Sequence, residues 1–322
     1  MADMATNKTA IDNAFTGPLG GGSHEPTFSG APSFMRRRFT KDLSVADVAV
    51  WGIPFDAATS NRPGARFGPA AIRRASAIFD GDPQYPSRID PFAVLAMVDC
   101  GDCLIEYERP QAAAESIEAQ ARQIIDSDVH LISLGGDHFV TLPLLRAHAE
   151  RHGPLALVQF DAHQDTWDDD GSKLSHGTFV TRAVAEGLID PGRSIQIGIR
   201  SIAPSDRGLE VLDAELCQAL GASGVAARVK ARVGPGPVYL TFDIDALDPA
   251  FAPGTGTPVA GGMSSSDALL CLWQLADLAW VGMDVVEVCP VYDHSEITSI
   301  AAATVVQRYV QILALKIVNG MR

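Results

Sequence analysis

The segment Leu155-Ala-Leu-Val-Gln-Phe160-Asp-Ala-His-Gln-Asp165 decides how the rest of this chain is read. Its first half is a short run of apolar, β-branched and aromatic side chains, the pattern of a buried strand. The second half places Asp161, His163 and Asp165 at alternate positions. Val238-Tyr-Leu-Thr-Phe242 leads in the same way into Asp243-Ile-Asp245, and the apolar run Val129–Leu134 leads into Gly135-Gly-Asp-His138. Successive side chains on a strand point to opposite faces, so the alternate residues of each motif are expected to project together. Carboxylates gathered at the ends of buried strands repel one another unless cations neutralise them. His138, Asp161, His163, Asp165, Asp243 and Asp245 therefore form a six-ligand set, enough for two metal ions sharing bridging carboxylates. Taken singly, Asp161-Ala-His163 would pass as a strand cap and Asp243-Ile-Asp245 as a turn; three such motifs together read as a binuclear metal enzyme.

The donor set also selects the ion. Carboxylates with two imidazoles and no thiolate suit hard or borderline cations, manganese ahead of zinc or iron. Two ions about 3.5 Å apart can share a hydroxide, which supplies a nucleophile near neutral pH.

From residue 46 onward, apolar runs alternate with helical patterns. Strands are expected to start near Val45, Ala93, Val129, Leu155, Ser194, Pro237 and Trp280, and helices to cover Pro69–Ile78, Gln111–Asp126, Phe139–Arg151, Thr178–Glu186, Ser264–Leu278 and Ser299–Val318. Ile117, Ala121, Ile124 and Ile125 fall on one side of the second helix. Such alternation implies an α/β fold, a parallel sheet covered by helices on both faces. Ligands in such folds sit beyond the carboxyl ends of the strands, where the Asp and His motifs lie. No internal repeat or linker interrupts this region, so residues 35–322 read as a single domain. Residues 1–34 are polar, rich in Gly, Ser and Pro, and lack a signal-peptide pattern; they read as a flexible N-terminal arm.

The formal net charge of −14, from 39 acidic and 25 basic residues, argues against nucleic acid or an anionic membrane as partner. It is compatible with a cationic ligand and equally with a merely solvated acidic surface. Arg36-Arg-Arg38 reads as a solvated or interface cluster. Five cysteines, an odd number, point to a reducing compartment. Cys100-Gly-Asp-Cys103 has CxxC spacing, but without a second pair or a nearby zinc-type His it reads as ordinary structural thiols. The apolar stretch near Ala268–Met283 is broken by Gln274 and Asp277, so no transmembrane helix and a cytoplasmic location are expected.

The segments GGDHFVTLPLL, FDAHQDT, SHGT, TFDIDALDPAFAPGTGTP and GMDVVEVCPVYD closely resemble the ureohydrolases, the arginase and agmatinase superfamily, from about residue 46 to the C-terminus and in consistent order. Within it the chain is most similar to bacterial agmatinases, also in flanking text such as LPLLRAHA and EITSIAAAT. The resemblance implies a three-layer α/β/α fold with a mainly parallel eight-stranded sheet, a two-manganese centre, and hydrolysis of a guanidino group to urea and an amine. It implies that His138, Asp161, Asp165 and Asp243 hold one ion and Asp161, His163, Asp243 and Asp245 the other. Gln164, between two ligands, should face away from them. Homotrimers or homohexamers are implied as well. His176, in Ser175-His-Gly177, would be a bystander on a loop if read alone; the resemblance makes it the shuttle that protonates the departing amine. Glu287, between valines on an expected strand, is either half of a structural ion pair or, by resemblance, the acceptor for the substrate guanidinium.

Agmatine is the expected substrate, with guanidinobutyrate as the alternative. Arginases resemble one another in an Asn- and Ser-containing loop that holds the amino-acid carboxylate, and no such Asn follows Asp165 here. Asp168-Asp169-Asp170 would instead attract a distal ammonium, or could simply be solvated. Arg62 and Arg66 lie in an expected site-facing loop and could pair with a carboxylate. Asp248 reads as an outer hydrogen-bonding residue close to the ligands, and Gly254-Thr-Gly256-Thr-Pro258 as a wall shaped by tight turns rather than a phosphate cradle. An inert ureohydrolase scaffold would require a missing ligand or shuttle, and none is missing.

Overall fold

The computed structural model describes residues 27–44, 46–79, 83–169, 171 and 173–320. Most of the expected arm lies outside the described residues; near its end, Ser33 and Phe34 are buried, and the Phe34 N–H donates to Asp99 Oδ2 at 2.7 Å.

Among the described residues nine strands form one sheet: β1 (Arg38–Phe39), β2 (Val48–Gly52), β3 (Met97–Asp102), β4 (His130–Leu134), β5 (Ala156–Phe160), β6 (Ile195–Ile199), β7 (Glu210–Asp213), β8 (Val238–Asp243) and β9 (Trp280–Val286). Their order is β1-β3-β2-β4-β9-β8-β5-β6-β7, and every neighbouring pair is parallel. The expected strands are all present within a few residues of their anticipated starts. The count is nine rather than eight. The two edge strands, β1 and β7, have no counterpart among the expected strands, because one is only two residues long and the other is half-exposed, so neither carries an apolar run.

Helices α2 (Ala113–Asp126), α3 (Thr141–His152) and α4 (Phe179–Ala185) cover one face, and α1 (Gly68–Ala75), α5 (Ala214–Val233), α6 (Ser265–Gln274) and α7 (Ile297–Val318) the other. On α2 the stripe read from sequence, Ile117, Ala121, Ile124 and Ile125, is buried together with Ala113. Helix α5 was not expected. It is Ala-rich with weak sidedness, and Gly221 interrupts it at φ 64°, ψ 171°, outside helical space. Helix α7, among the described residues, is long and apolar enough to cross a membrane by length and composition, but 61% of its most apolar window is buried within the protein.

The layers fix where chemistry can occur. β4, β9, β8 and β5 are consecutive at the centre of the sheet, and their carboxyl ends carry, in order, Gly135-Gly-Asp-His138, Glu287, Asp243-Ile-Asp245 and Asp161–Asp165. The chain order reverses across these strands, the position where α/β sheets open a ligand crevice. The turn after β4 is only possible without side chains: a Cβ on Gly136 would lie 1.7 Å from the Phe55 carbonyl oxygen, and one on Gly135 2.6 Å from Val286 Cγ1. Gly136→Ala must displace backbone, and we expect it to cost about 1–3 kcal/mol or more, the usual penalty of overpacking. A thermal unfolding midpoint equal to that of the unmodified protein would show that the turn is not so constrained.

Candidate metal centre

The side chains named from sequence meet at this point, but not by strand alternation. β5 stops at Phe160 and β8 at Asp243, so the remaining ligands lie on turns. Each turn is closed by its own first carboxylate: the His163 N–H donates to Asp161 Oδ1 at 2.6 Å, and the Asp245 N–H to Asp243 Oδ1 at 2.8 Å. Asp165 takes a left-handed conformation, φ 52°, which swings it back toward His138. Expected strand geometry is thus corrected to Asx turns, whose carboxylates order the chain that follows them.

His138, Asp161 and Asp243 have ligand atoms within 4.8 Å of one another, as do Asp161, His163 and Asp245, so Asp161 belongs to both groups. The Nδ1 of His138 lies 3.0 Å from Asp161 Oδ2, 3.0 Å from Asp165 Oδ2 and 3.2 Å from Asp243 Oδ2. Despite these distances it makes no hydrogen bond of acceptable geometry and stands as an unpartnered buried atom. Oxygen and nitrogen lone pairs that converge without a shared proton are what a cation would organise. His163 Nδ1 lies 3.1 Å from Asp245 Oδ2.

The electrostatics point the same way. Burial and then the charges of Asp245 and Asp161 raise Asp243 well above the usual carboxylate range, and burial and Asp161 push Asp165 up to about 6. Against the opposing effect of burial, neighbouring carboxylates raise His138 well above its ordinary value and His163 to about 12. The chain alone can hold this cluster only by retaining protons; two divalent cations would remove that need, and the His and Asp donors fit them.

A buried network that was not singled out in the sequence orients His138. Its Nε2 lies 2.8 Å from Thr241 Oγ1, which donates to Asp284 Oδ1 at 2.5 Å. Asp284 Oδ2 also accepts from Tyr239 Oη and Thr141 Oγ1, both at 2.9 Å. With Asp284 ionised, the relay places the proton on Nε2 and leaves the Nδ1 lone pair free for a metal. Gln159 Nε2 likewise donates to Asp161 Oδ2 at 2.7 Å. The signal in the sequence was polar residues, Gln159, Thr241 and Asp284, inside runs of otherwise apolar strand.

Glu287 follows the end of β9 with φ 62° rather than lying on the strand. It is fully buried. Its Oε1 accepts from the His138 N–H at 2.9 Å and lies 2.8 Å from His176 Nδ1, while Oε2 has no partner. His176 is nine-tenths buried at the start of a 3-10 turn. Burial disfavours its charged form, but the hydrogen bond to Glu287 and the nearby Asp165 and Asp137 raise it to about 9. A cavity of about 430 Å³ opens here, lined by His163, Asp165, Asp243 and His176 together with Ser60, Trp167 and Thr257.

Other expected participants are directed elsewhere. Asp168 pairs with Arg207 at 2.5 Å, and Asp169 pairs with Arg182; neither lines the cavity. The acidic loop sits too close to two arginines to serve as a free anionic patch, and Asp170 lies outside the described residues. Arg66 is bound to Asp56 at 2.5 Å. Arg62 donates to the Thr255 carbonyl at 2.5 Å and stacks on Tyr292. Asp248 does not support the ligands; it accepts from the N–H groups of Ala250, Gly261 and Gly262, stapling its own loop. Gln164 faces away from the cluster, as expected, with Oε1 accepting from the Ala203 N–H at 2.7 Å. Cys100 and Cys103 are free, buried thiols, each pushed up to about 12 by burial.

The family described as the arginase family matches residues 46–311. The chain belongs to the arginase family. An agmatinase of Chromobacterium violaceum is 52% identical over 287 residues, covering 88% of this chain and 89% of that protein. The crystal structure of a hypothetical agmatinase from Burkholderia thailandensis superposes with a TM-score of 0.92 at 48% identity, over 95% of this chain and 98% of that one. Proclavaminate amidino hydrolase from Streptomyces clavuligerus gives a TM-score of 0.85 at 40% identity, over 90% and 99%. The chain is therefore an enzyme, an agmatinase-like ureohydrolase of the arginase family, and the family fold implies a binuclear metal site at the His and Asp cluster.

Thr241→Val removes only the hydroxyl that links His138 to Asp284. We expect roughly 10–100-fold weaker metal binding, the usual effect of losing such a partner, read by competition with a chelator. Unchanged affinity would show that His138 is oriented without the relay.

Proposed function

We propose that this enzyme hydrolyses agmatine to putrescine and urea with two manganese ions held by His138, Asp161, His163, Asp165, Asp243 and Asp245. The observation that carries the substrate is that no Lys or Arg lines the cavity among the described residues. Both arginines that could have received a distal carboxylate are committed, Arg66 to Asp56 and Arg62 to backbone carbonyls and Tyr292. A guanidinobutyrate carboxylate would meet no free Lys or Arg among the described lining residues, whereas agmatine's ammonium requires none. The agmatinase name of relatives at about half identity supports the same substrate.

The bound ions would supply a water activated for attack near neutral pH. The chain supplies the remainder. Glu287 Oε2, buried beside Gly256 and without a partner, would accept guanidinium N–H groups, while Oε1 holds His176 by Nδ1. His176, held toward its protonated form by Glu287 against the opposing effect of burial, would give a proton to the departing amine. Its neighbours exclude bulk water from all but the cavity side. The five buried free thiols fit a reducing, cytoplasmic setting, and a homotrimer or homohexamer is part of the same reading.

Three outcomes test it. Asp243→Ala should bind well under two ions per chain by metal analysis, and two tightly held manganese ions in that variant would remove Asp243 from the ligand set. His176→Ala should keep both ions and lose turnover by roughly 10²–10⁴-fold; loss of metal or a normal rate would reject the shuttle. In a urea-release assay across agmatine, guanidinobutyrate, guanidinopropionate and arginine, agmatine should show the highest kcat/KM, and preference for any of the acids would overturn the substrate.

A further inference from the structure

His176 has two ring nitrogens, and each is already occupied. Nδ1 is taken by Glu287 Oε1 at 2.8 Å. Nε2 is met by Ser60 twice, by its backbone N–H at 3.0 Å and its hydroxyl oxygen at 2.7 Å. Ser60 is exposed and lines the same cavity as His176, whereas His176 is nine-tenths buried. The loop carrying Ser60 is fastened to the site two residues earlier: the Ala58 N–H donates to Asp137 Oδ2 at 2.8 Å, and the Ala58 carbonyl accepts the His176 N–H at 3.1 Å. Asn61 Nδ2, on the other side, donates to the Gly256 carbonyl at 3.0 Å. Ser60 is thus held against His176 from both directions, although 116 residues separate them.

We propose that the Ser60 hydroxyl relays the proton between His176 Nε2 and the departing amine. The inference rests on His176 being the proton shuttle and adds the atom through which it acts. A backbone N–H can only donate, so it suits Nε2 only when that nitrogen carries a lone pair. A hydroxyl can donate or accept, so Ser60 Oγ follows the ring through both protonation states. In the transfer, the Nε2–H bond breaks as a new Ser60 O–H bond forms, and the original Ser60 O–H proton passes to the amine nitrogen as its bond to the guanidino carbon breaks. Nδ1–H stays on Glu287 throughout, so no tautomer change is required. Afterwards Nε2 accepts from both Ser60 donors, and a solvent proton returns by the same route in reverse. Overall, the water consumed gives its oxygen to the guanidino carbon as the urea carbonyl and its two protons to the amine, which leaves as an ammonium: one is exchanged with solvent and returned through His176 and Ser60, and the other leaves the carbon-bound hydroxyl as the carbonyl forms.

The test is a double-mutant cycle in the metal-loaded enzyme. Ser60→Ala should lower kcat for agmatine by roughly tenfold or more, a part of the usual acid–base contribution, with KM and metal content near the unmodified values. Ser60→Thr, which keeps a hydroxyl, should restore most of the rate. In a His176→Ala background, Ser60→Ala should cost nothing further, because residues acting as one unit are not additive. A Ser60→Ala enzyme at full kcat, or one that loses the same factor with and without His176, overturns the relay. A His176→Ala enzyme at full kcat instead overturns the shuttle on which the relay rests, and a slow His176→Ala beside a fast Ser60→Ala removes the relay alone.

Discussion

Asp161, Asp165, Asp243 and Asp245 are crowded and buried at the ends of two adjacent strands, and their mutual repulsion is the constraint to which the surrounding structure answers. Buried carboxylates in such numbers are costly unless positive charge is brought to them. The protein supplies two imidazoles, His138 and His163, within 3.0–3.5 Å of the carboxylate oxygens. That is too little for four acids, which is why burial and repulsion push Asp165 and Asp243 upward. Divalent cations would complete the balance, which would couple stability of this end of the sheet to metal binding.

Around that cluster, single residues serve two purposes. Glu287 Oε1 accepts both from the His138 backbone and from His176, while Oε2 remains unpaired toward Gly256. One carboxylate therefore links the metal-binding turn to the His176 imidazole. Its left-handed backbone, φ 62°, carries the strain often found at functional sites. Asp137 plays a comparable part: its Oδ1 caps the His138 turn at Phe139 and its Oδ2 anchors Ala58. Displacing either carboxylate would shift several groups at once.

At the acidic loop after Asp165, local sequence and tertiary contacts disagree. An Asp-Asp-Asp run beside a metal ligand reads as an ammonium receptor. Folding gives Asp168 to Arg207 and Asp169 to Arg182. In the proposed reading, the preference for a cation comes instead from two arginines, Arg62 and Arg66, that are turned to internal partners and so leave no receptor for a carboxylate.

The sequence by itself determined the central strands, the layer arrangement and the residues that gather at the cluster. Those features follow from short-range rules: apolar runs that must be buried on both faces, and carboxylates and imidazoles at run ends that need a counter-charge. It did not determine the edge strands β1 and β7, which are short or half-exposed and whose neighbours decide the conformation, or helix α5, whose Ala-rich run has weak sidedness and is interrupted at Gly221. Nor could it show that the ligands stand on Asx turns, that Thr241 and Asp284 orient His138, that Arg207 and Arg182 neutralise the acidic loop, or that Ser60 caps His176. The Asx turns are local hydrogen bonds that compete with continued strand, and the others are contacts between residues separated in the chain. Hydrogen-bond partners are chosen by distance and angle in space, and only the folded chain fixes those.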